Sequence, residues 1–221
     1  MPLRLPIFPV SVVLFPGMPL PLHIFEPRYR RMLTDCLEGD RRFGITPAGR
    51  DDRLPEPGTV GCIAEIRVNQ ELPEGRSNIV VLGAERFVLT RSLEDAPYFV
   101  ALVQPFEEEP GTDPPDETAA RLREVFTGYY ALLRQLNDVE PEDPSLPGDV
   151  LGLSFHVSAA IECDPGVKQR LLVERSTAQR VEALLMLVPI LTATVESALR
   201  IHRRAHTNGR GGARPDVVTE P

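Results

Sequence analysis

The 221-residue sequence lacks tryptophan and has only three cysteines and one lysine. Cys36, Cys62 and Cys163 are far apart and form no CxxC pair. A disulfide framework and a thiolate zinc site are therefore not expected, and we expect a reducing, cytoplasmic location. We interpret the preference for Arg over Lys as a compositional bias without functional meaning.

Long apolar runs are also missing. The longest, ALLMLVPIL over 183–191, is much shorter than the roughly 20 residues of a membrane-spanning helix. The first residues contain no apolar signal segment that is uninterrupted by proline. The sequence thus predicts neither a membrane anchor nor export.

The common enzymatic signatures are absent. No phosphate loop GxxxxGK[ST], dinucleotide fingerprint GxGxxG, nucleophile motif GxSxG or zinc motif HExxH occurs. His202 and His206 have helical metal-ligand spacing, but Arg203 and Arg204 lie between them, which favours a solvated helix end. Lys168 has no serine in an activating context, so a Ser–Lys dyad is not expected. We predict a protein that is not an enzyme and needs no cofactor or metal.

The charge balance argues against nucleic-acid binding. The chain has 24 Lys and Arg against 32 Asp and Glu, a formal charge of −8. An acidic body repels a phosphate backbone. The Arg-rich stretch between Arg28 and Arg42 is the one place where an acidic partner or RNA could bind, but we favour pairing of these residues within the chain. The carboxylates of 107–117 and 138–149 are interpreted as solubilising charge.

Residues 1–108 have the pattern of a β-rich domain. Short apolar runs at 3–8, 20–25, 41–46 and 59–72 and two runs between 77 and 106 are separated by Pro and Gly, which predicts six or more strands in a closed or half-closed barrel. One amphipathic helix interrupts them, because Tyr29, Met32, Leu33, Cys36 and Leu37 follow helical spacing.

Residues 109–206 have helical periodicity. Helices are predicted from about Ala119 to Leu136, from Val150 to Ile161, from Asp164-Pro165 to Leu172, and onward from a capping box at Ser176. Pro189 should kink the last helix. The Gly- and Pro-rich tail 207–221 is predicted to be disordered. The fold class is therefore α+β, a β-rich barrel followed by a helical bundle.

The segment LPIFPVSVVLFPGMPLPLHIFEPRYRRMLTDCLEGDRRFGI over 5–45 resembles the start of the Lon protease N-terminal, substrate-binding domain. VGCIAEI, LPEGRSNIVVLGAERFVL and PYFVALVQPF follow in that family's order. The resemblance implies a PUA-like pseudo-barrel, which agrees with the strand count, and a module that binds substrate proteins. The family's ATPase and Ser–Lys peptidase modules are not expected in this chain.

The resemblance suggests a role for the apolar, proline-rich stretch 13–21. Prolines cannot donate to a sheet, so part of this stretch should lie at an edge or in a crossing loop where a polypeptide could bind. The substrate-binding candidates are Phe15, Pro16, Met18, Leu20, His23, Phe25, Arg28 and Tyr29. The alternative for each is a structural role in closing the barrel.

Two functions follow from this sequence. The first is a non-catalytic module that selects or delivers unfolded or damaged polypeptides, with a protease or chaperone as a further partner. The second is a scaffold whose helical half docks a separate enzyme or forms a weak homodimer. The long last helix supports the second, because Met186, Leu187, Ile190 and Ile201 lie away from its main apolar stripe.

Overall fold

The computed structural model describes residues 2–49, 55–93, 96–111 and 113–208, with side chains to residue 203. The first half contains β1 (Leu3–Val10), β2 (Pro19–Ile24), α1 (Pro27–Glu38), β3 (Arg42–Pro47), β4 (Val60–Glu71), β5 (Ser77–Leu93) and β6 (Val100–Pro105). The second half contains α2 (Asp116–Leu136), α3 (Val150–Ala160), α4 (Pro165–Val173) and α5 (Thr177–Asn208). The predicted α+β class is confirmed.

Five of the six strands form a closed barrel, and the sixth, β2, is added beside it. The strand order is β2-β5-β4-β3-β1-β6, and β5 also pairs with β6, which closes the ring. Closure is possible because β5 has 17 residues: its first part pairs with β2 and its last part with β6. Among the strands of the described residues only β1 and β3 pair in parallel. This arrangement leaves β2 outside the ring, with one edge that no described strand pairs with.

Local sequence signals account for the element ends. Pro27 begins α1, as its fixed φ allows. Asp164 caps α4, since its Oδ1 accepts a hydrogen bond from the Gly166 amide at 2.7 Å. Ser176 Oγ accepts from the Gln179 amide at 3.2 Å at the start of α5. The helix continues through Pro189, and the predicted tail from 209 onward lies outside the described residues.

The buried apolar residues form three clusters, one of which contains residues of both halves. The outer face of the barrel packs against α1 through Tyr29, Met32, Leu33 and Cys36. The helical core contains residues of α2 to α5, and Phe15 and Val60 of the β-rich half also lie in it. Phe15 is fully buried, with its ring centre 6.3 Å from that of Phe155. The crossing loop before β2 is thus one of the apolar contacts that join barrel and bundle, together with Val60 of β4.

Candidate functional site

The crossing loop 11–18 is held in place at Gly83 of β5. The Gly17 amide donates to the Gly83 carbonyl at 2.8 Å, and the Gly83 amide donates to the Met18 carbonyl at 2.9 Å. A Cβ on Gly83 would lie 2.0 Å from the Phe15 carbonyl oxygen. Only glycine therefore allows the loop to lie this close to the strand.

An apolar cleft lies on each side of this loop. The first, which we call the helical cleft, has a volume of about 370 Å³ and separates the loop from α3 and α4. The second, the α1 cleft, has about 560 Å³ and separates the end of β1 from β2 and the start of α1. Ser11 and Val12 line both clefts and are exposed. The two clefts therefore adjoin at these residues.

The eight predicted site residues do not converge on one pocket. Met18 and Leu20 line the helical cleft with partly exposed side chains, and Phe15 borders it from the core. The α1 cleft is lined by the last four candidates: His23, Phe25, Arg28 and Tyr29. Pro16 lies instead in a third cavity of about 660 Å³ between barrel and bundle.

The candidates also differ in how far their side chains are exposed. The Phe25 side chain is 58% exposed, with the His23 ring stacked on it at 5.8 Å between centres. Tyr29 is buried and packs edge-on against Phe8 at 4.4 Å. Arg28 lies over the Tyr29 ring at 4.6 Å and pairs with Glu26 at 3.0 Å. Among the aromatic candidates Phe25 is thus the accessible one, whereas Tyr29 and Phe15 are buried packing residues.

The outer edge of β2 offers few hydrogen-bond donors. The Met18 carbonyl points to β5, and the backbone groups of Leu20, Leu22 and Ile24 point the same way by strand alternation. Pro19, Pro21 and His23 therefore face outward, and the two prolines have no N–H group. This edge is poorly suited to pairing with another strand.

Sequence reasoning missed three residues at these clefts. Val12 is 42% exposed where the clefts adjoin. Cys163 and Lys168 line the far wall of the helical cleft. Lys168 Nζ donates to the Ala159 carbonyl at 2.6 Å, and burial lowers the pKa of Lys168. No local pattern connects these two residues with a loop about 150 positions earlier.

A buried charged cluster joins barrel and bundle beside the third cavity. Glu108 accepts hydrogen bonds from Arg86 of β5 and, at 2.9 Å, from Arg180 of α5. Arg86 also donates to the carbonyls of Leu172 and Glu174, at 2.5 and 2.8 Å. Burial lowers the pKa of Arg86 to about 10. Glu108 was expected to be solubilising charge, and this was wrong because two guanidinium groups surround its carboxylate.

The Arg-rich stretch is largely paired within the chain. Arg31 pairs with Asp35 at 3.0 Å, and Arg42 pairs with Glu65 across β3 and β4. Arg41 Nε donates to the Ile66 carbonyl at 3.4 Å. The favoured structural interpretation of this stretch therefore agrees with its contacts.

The described ranges contain no group of three or more His, Cys, Asp or Glu side chains that could hold a metal ion. His202 Nε2 lies 3.3 Å from Asp138 Oδ2, so the end of α5 lies near the end of α2. Cys36 and Cys62 are buried, and burial raises the pKa of each thiol to about 12. Both cysteines therefore pack as small apolar groups.

One helix within the described residues, Thr177–Arg203, is long and apolar enough to cross a membrane by length and composition alone. The prediction from the 183–191 run underestimated this helix, because Ala193, Val195, Ala198 and Leu199 continue its apolar character beyond the run. Core helices of soluble proteins pass the same test, and α5 buries one face against the bundle.

The chain is similar to Lon proteases over their N-terminal part. The family model of the ATP-dependent protease La (Lon) substrate-binding domain matches residues 4–189. Lon protease of Cytophaga hutchinsonii is 28% identical over 94% of this chain, and Lon protease 2 of Thermus thermophilus is 26% identical over 92%. In both comparisons the chain spans 26% of the relative's length.

Two solved structures share the fold. A Lon N-terminal domain protein from Xanthomonas campestris superposes with a TM-score of 0.60 at 23% identity, covering 84% of this chain and 98% of the other. The N-terminal domain of Mycobacterium avium complex Lon protease superposes with a TM-score of 0.65 at 19% identity and the same coverage. From the match over 4–189 we conclude that the chain belongs to the Lon substrate-binding domain family.

Proposed function

We propose that this chain is a non-catalytic module that binds unfolded or damaged polypeptides in the two adjoining clefts and delivers them to a protease or chaperone in the cytoplasm. The observation that carries the proposal is that Ser11 and Val12 line both clefts. An extended segment could lie across the crossing loop with apolar side chains on either side of it. Family membership supports protein substrates as the ligand class.

The chemistry of the clefts favours side-chain contacts over strand addition. Met18, Leu20, Val12 and Phe25 provide apolar surface, and Met adapts to differently shaped partners. The outward prolines of β2 remove the amide donors that strand addition requires. Binding of this kind selects apolar segments exposed by unfolding, with little dependence on their sequence.

The polar groups at the clefts support a role without catalysis. Lys168 is bound to a helix carbonyl, and burial raises the pKa of the Cys163 thiol, which weakens it as a nucleophile. Peptidase or ATPase activity that persists through rigorous purification would contradict this part of the proposal.

Fluorescence anisotropy of a labelled, permanently unfolded polypeptide tests binding, with a folded protein of similar charge as the control ligand. Two exposed valines give a matched pair of variants: Val12 in the clefts and Val68 on β4 outside them, 42% and 52% exposed. We expect micromolar binding to the unfolded chain that V12S weakens several-fold and V68S leaves unchanged.

Protection of Cys163 locates the site independently. A polypeptide in the helical cleft should slow alkylation of this thiol, and the folded control ligand should not. No binding at several hundred micromolar, or equal loss in V12S and V68S, would contradict the proposed site.

The scaffold function is the second candidate. It is favoured by the exposed Met186 and Ile190 on α5, on the opposite side of the helix from its packed face. A binding partner captured by the helical half and unaffected by V12S would support it.

A further inference from the structure

The outward face of α5 is apolar along its central turns. Met186, Ile190 and Ile201 are 69%, 65% and 69% exposed, and exposed Ala193 and Ser197 lie between them. Steps of four, three, four and four residues keep these five positions on one face. The opposite face is buried in the bundle through Val181, Leu184, Val188, Val195 and Leu199.

The hydroxyl groups on this face are used by the helix itself. Thr194 Oγ1 donates to the Ile190 carbonyl at 3.1 Å, and Ser197 Oγ donates to the Ala193 carbonyl at 2.8 Å. Small residues let a second helix approach closely. Because the hydroxyl groups already have acceptors, no buried donor would be left without a partner. The face is therefore suited to dry helix packing.

Two opposite charges lie on one edge of this face. Glu182 and Arg200 are 18 residues apart, which is five helical turns, so they share an angular position about 27 Å apart along the axis. Both are exposed. In the described part of the chain neither forms an ion pair, and Arg200 donates only to Ser197 Oγ, at 2.8 Å. The two charges of one helix are thus complementary to those of a second copy that runs antiparallel to it.

We propose that α5 of one molecule packs antiparallel against α5 of a second copy, with a two-fold axis near residue 191. A two-fold axis keeps equivalent edges on the same side. Glu182 of each copy therefore meets Arg200 of the other. Met186 and Ile190 of one copy then lie over the small residues Ala193 and Ser197 of the other.

The size of the contact determines its strength. A contact limited to one helix face lies at the small end of specific interfaces, so the dimer should depend on concentration in the micromolar range. The two exposed ion pairs set register and orientation more than affinity. This surface lies on α5, whereas the proposed polypeptide site is lined by the crossing loop, β1, β2, α1, α3 and α4, so the dimer does not depend on that site.

Sedimentation equilibrium of the full chain over a range of concentrations tests the dimer. We expect E182R and R200E each to raise the dissociation constant at least tenfold, because each homodimer would contain two like-charged contacts. An equimolar mixture of E182R and R200E should dimerise again, since both contacts in the mixed dimer are then of opposite sign. The double variant E182R/R200E should dimerise as well.

Controls separate this geometry from other interfaces. Arg121 and Glu124 are exposed on α2, and the exchange R121E/E124R should leave dissociation unchanged. M186K should dissociate the dimer at unchanged thermal stability. A wild-type chain that stays monomeric at several hundred micromolar, or a mixture of E182R and R200E that does not recover, would overturn the proposal. Flotation of such a monomer with phosphatidylcholine vesicles would assign the face to a lipid surface instead.

Discussion

The carboxylate of Glu108 accepts a hydrogen bond at 2.9 Å from Arg180, whose side chain is fully buried. Arg180 also lies over the Phe155 ring at 4.1 Å and donates to Ser154 Oγ at 2.9 Å. Arg86 shares the same carboxylate from the barrel side. One acidic side chain thus pairs with two cations, one from each half of the molecule.

Removing this carboxylate should destabilise the chain strongly. E108Q leaves two buried guanidinium groups without their counter-ion, which we expect to cost roughly 3 kcal/mol in the free energy of unfolding. Urea unfolding measures the loss. E107Q alters the exposed neighbouring carboxylate and is the matched control. Equal stability of the two variants would show that the cluster contributes little.

Two Gly→Ala substitutions should change stability in opposite directions. G83A places a methyl group against the Phe15 carbonyl, and the resulting shift of the crossing loop should cost roughly 1–3 kcal/mol. G128A lies in α2 with no atom within 4 Å of the added Cβ, and should stabilise by up to about 1 kcal/mol. Denaturant midpoints of both variants test this. If G83A is as stable as the wild type, the close approach is not required.

The three thiols should differ in reactivity. Cys163 is partly exposed, whereas Cys36 and Cys62 are buried with pKa values of about 12. A thiol reagent at pH 8 should therefore modify one cysteine in the folded chain and all three after denaturation. Rapid modification of all three in the native state would contradict the buried positions.

The raised pKa values of Cys36 and Cys62 also predict alkaline destabilisation. Between pH 9 and 12 these thiols ionise in the unfolded chain but remain protonated in the folded one. The unfolded state then binds fewer protons, so the free energy of unfolding falls as the pH rises. Urea unfolding at pH 8.5 and 10.5 measures the loss of stability between these two pH values. This loss should be smaller in C36A/C62A than in the wild type.

Mild acid should destabilise the bundle through His156. Burial lowers its pKa below the usual 6.5, and its ring lies edge-on to Phe126 at 5.9 Å. As the pH falls below 6.5, the unfolded chain gains a proton that the folded chain takes up only at its lower pKa, so stability is lost across that interval. H156Q should lose less stability between pH 7 and 5 than the wild type. H23Q, which changes an exposed imidazole, is the control, and identical losses in all three proteins would exclude this role.

The local elements follow from sequence patterns because their causes are local. Helical spacing from Tyr29 to Leu37 identified α1, and Asp164 with Pro165 identified the start of α4. Alternation and turn residues identified the strands of the barrel. The family could also be identified from the sequence, because its motifs lie close together in residues 5–45.

The candidate site could be predicted only in part. Phe25, Met18 and Leu20 do line the clefts, but periodicity does not distinguish an accessible aromatic such as Phe25 from a buried one such as Phe15. Their difference arises from what packs over each ring. For Phe15 that is Phe155, 140 positions later.

By itself, then, the sequence determined the order and type of the elements, the acidic and Arg-rich surface, and the family. Only the tertiary structure decided that Ser11 and Val12 border two clefts, that Lys168 lies opposite Met18 in one of them, and that Glu108 pairs with both Arg86 and Arg180. The physical reason is range: spacing and caps act within a few residues, whereas burial and charge pairing depend on which distant segments the closed barrel and the bundle bring together.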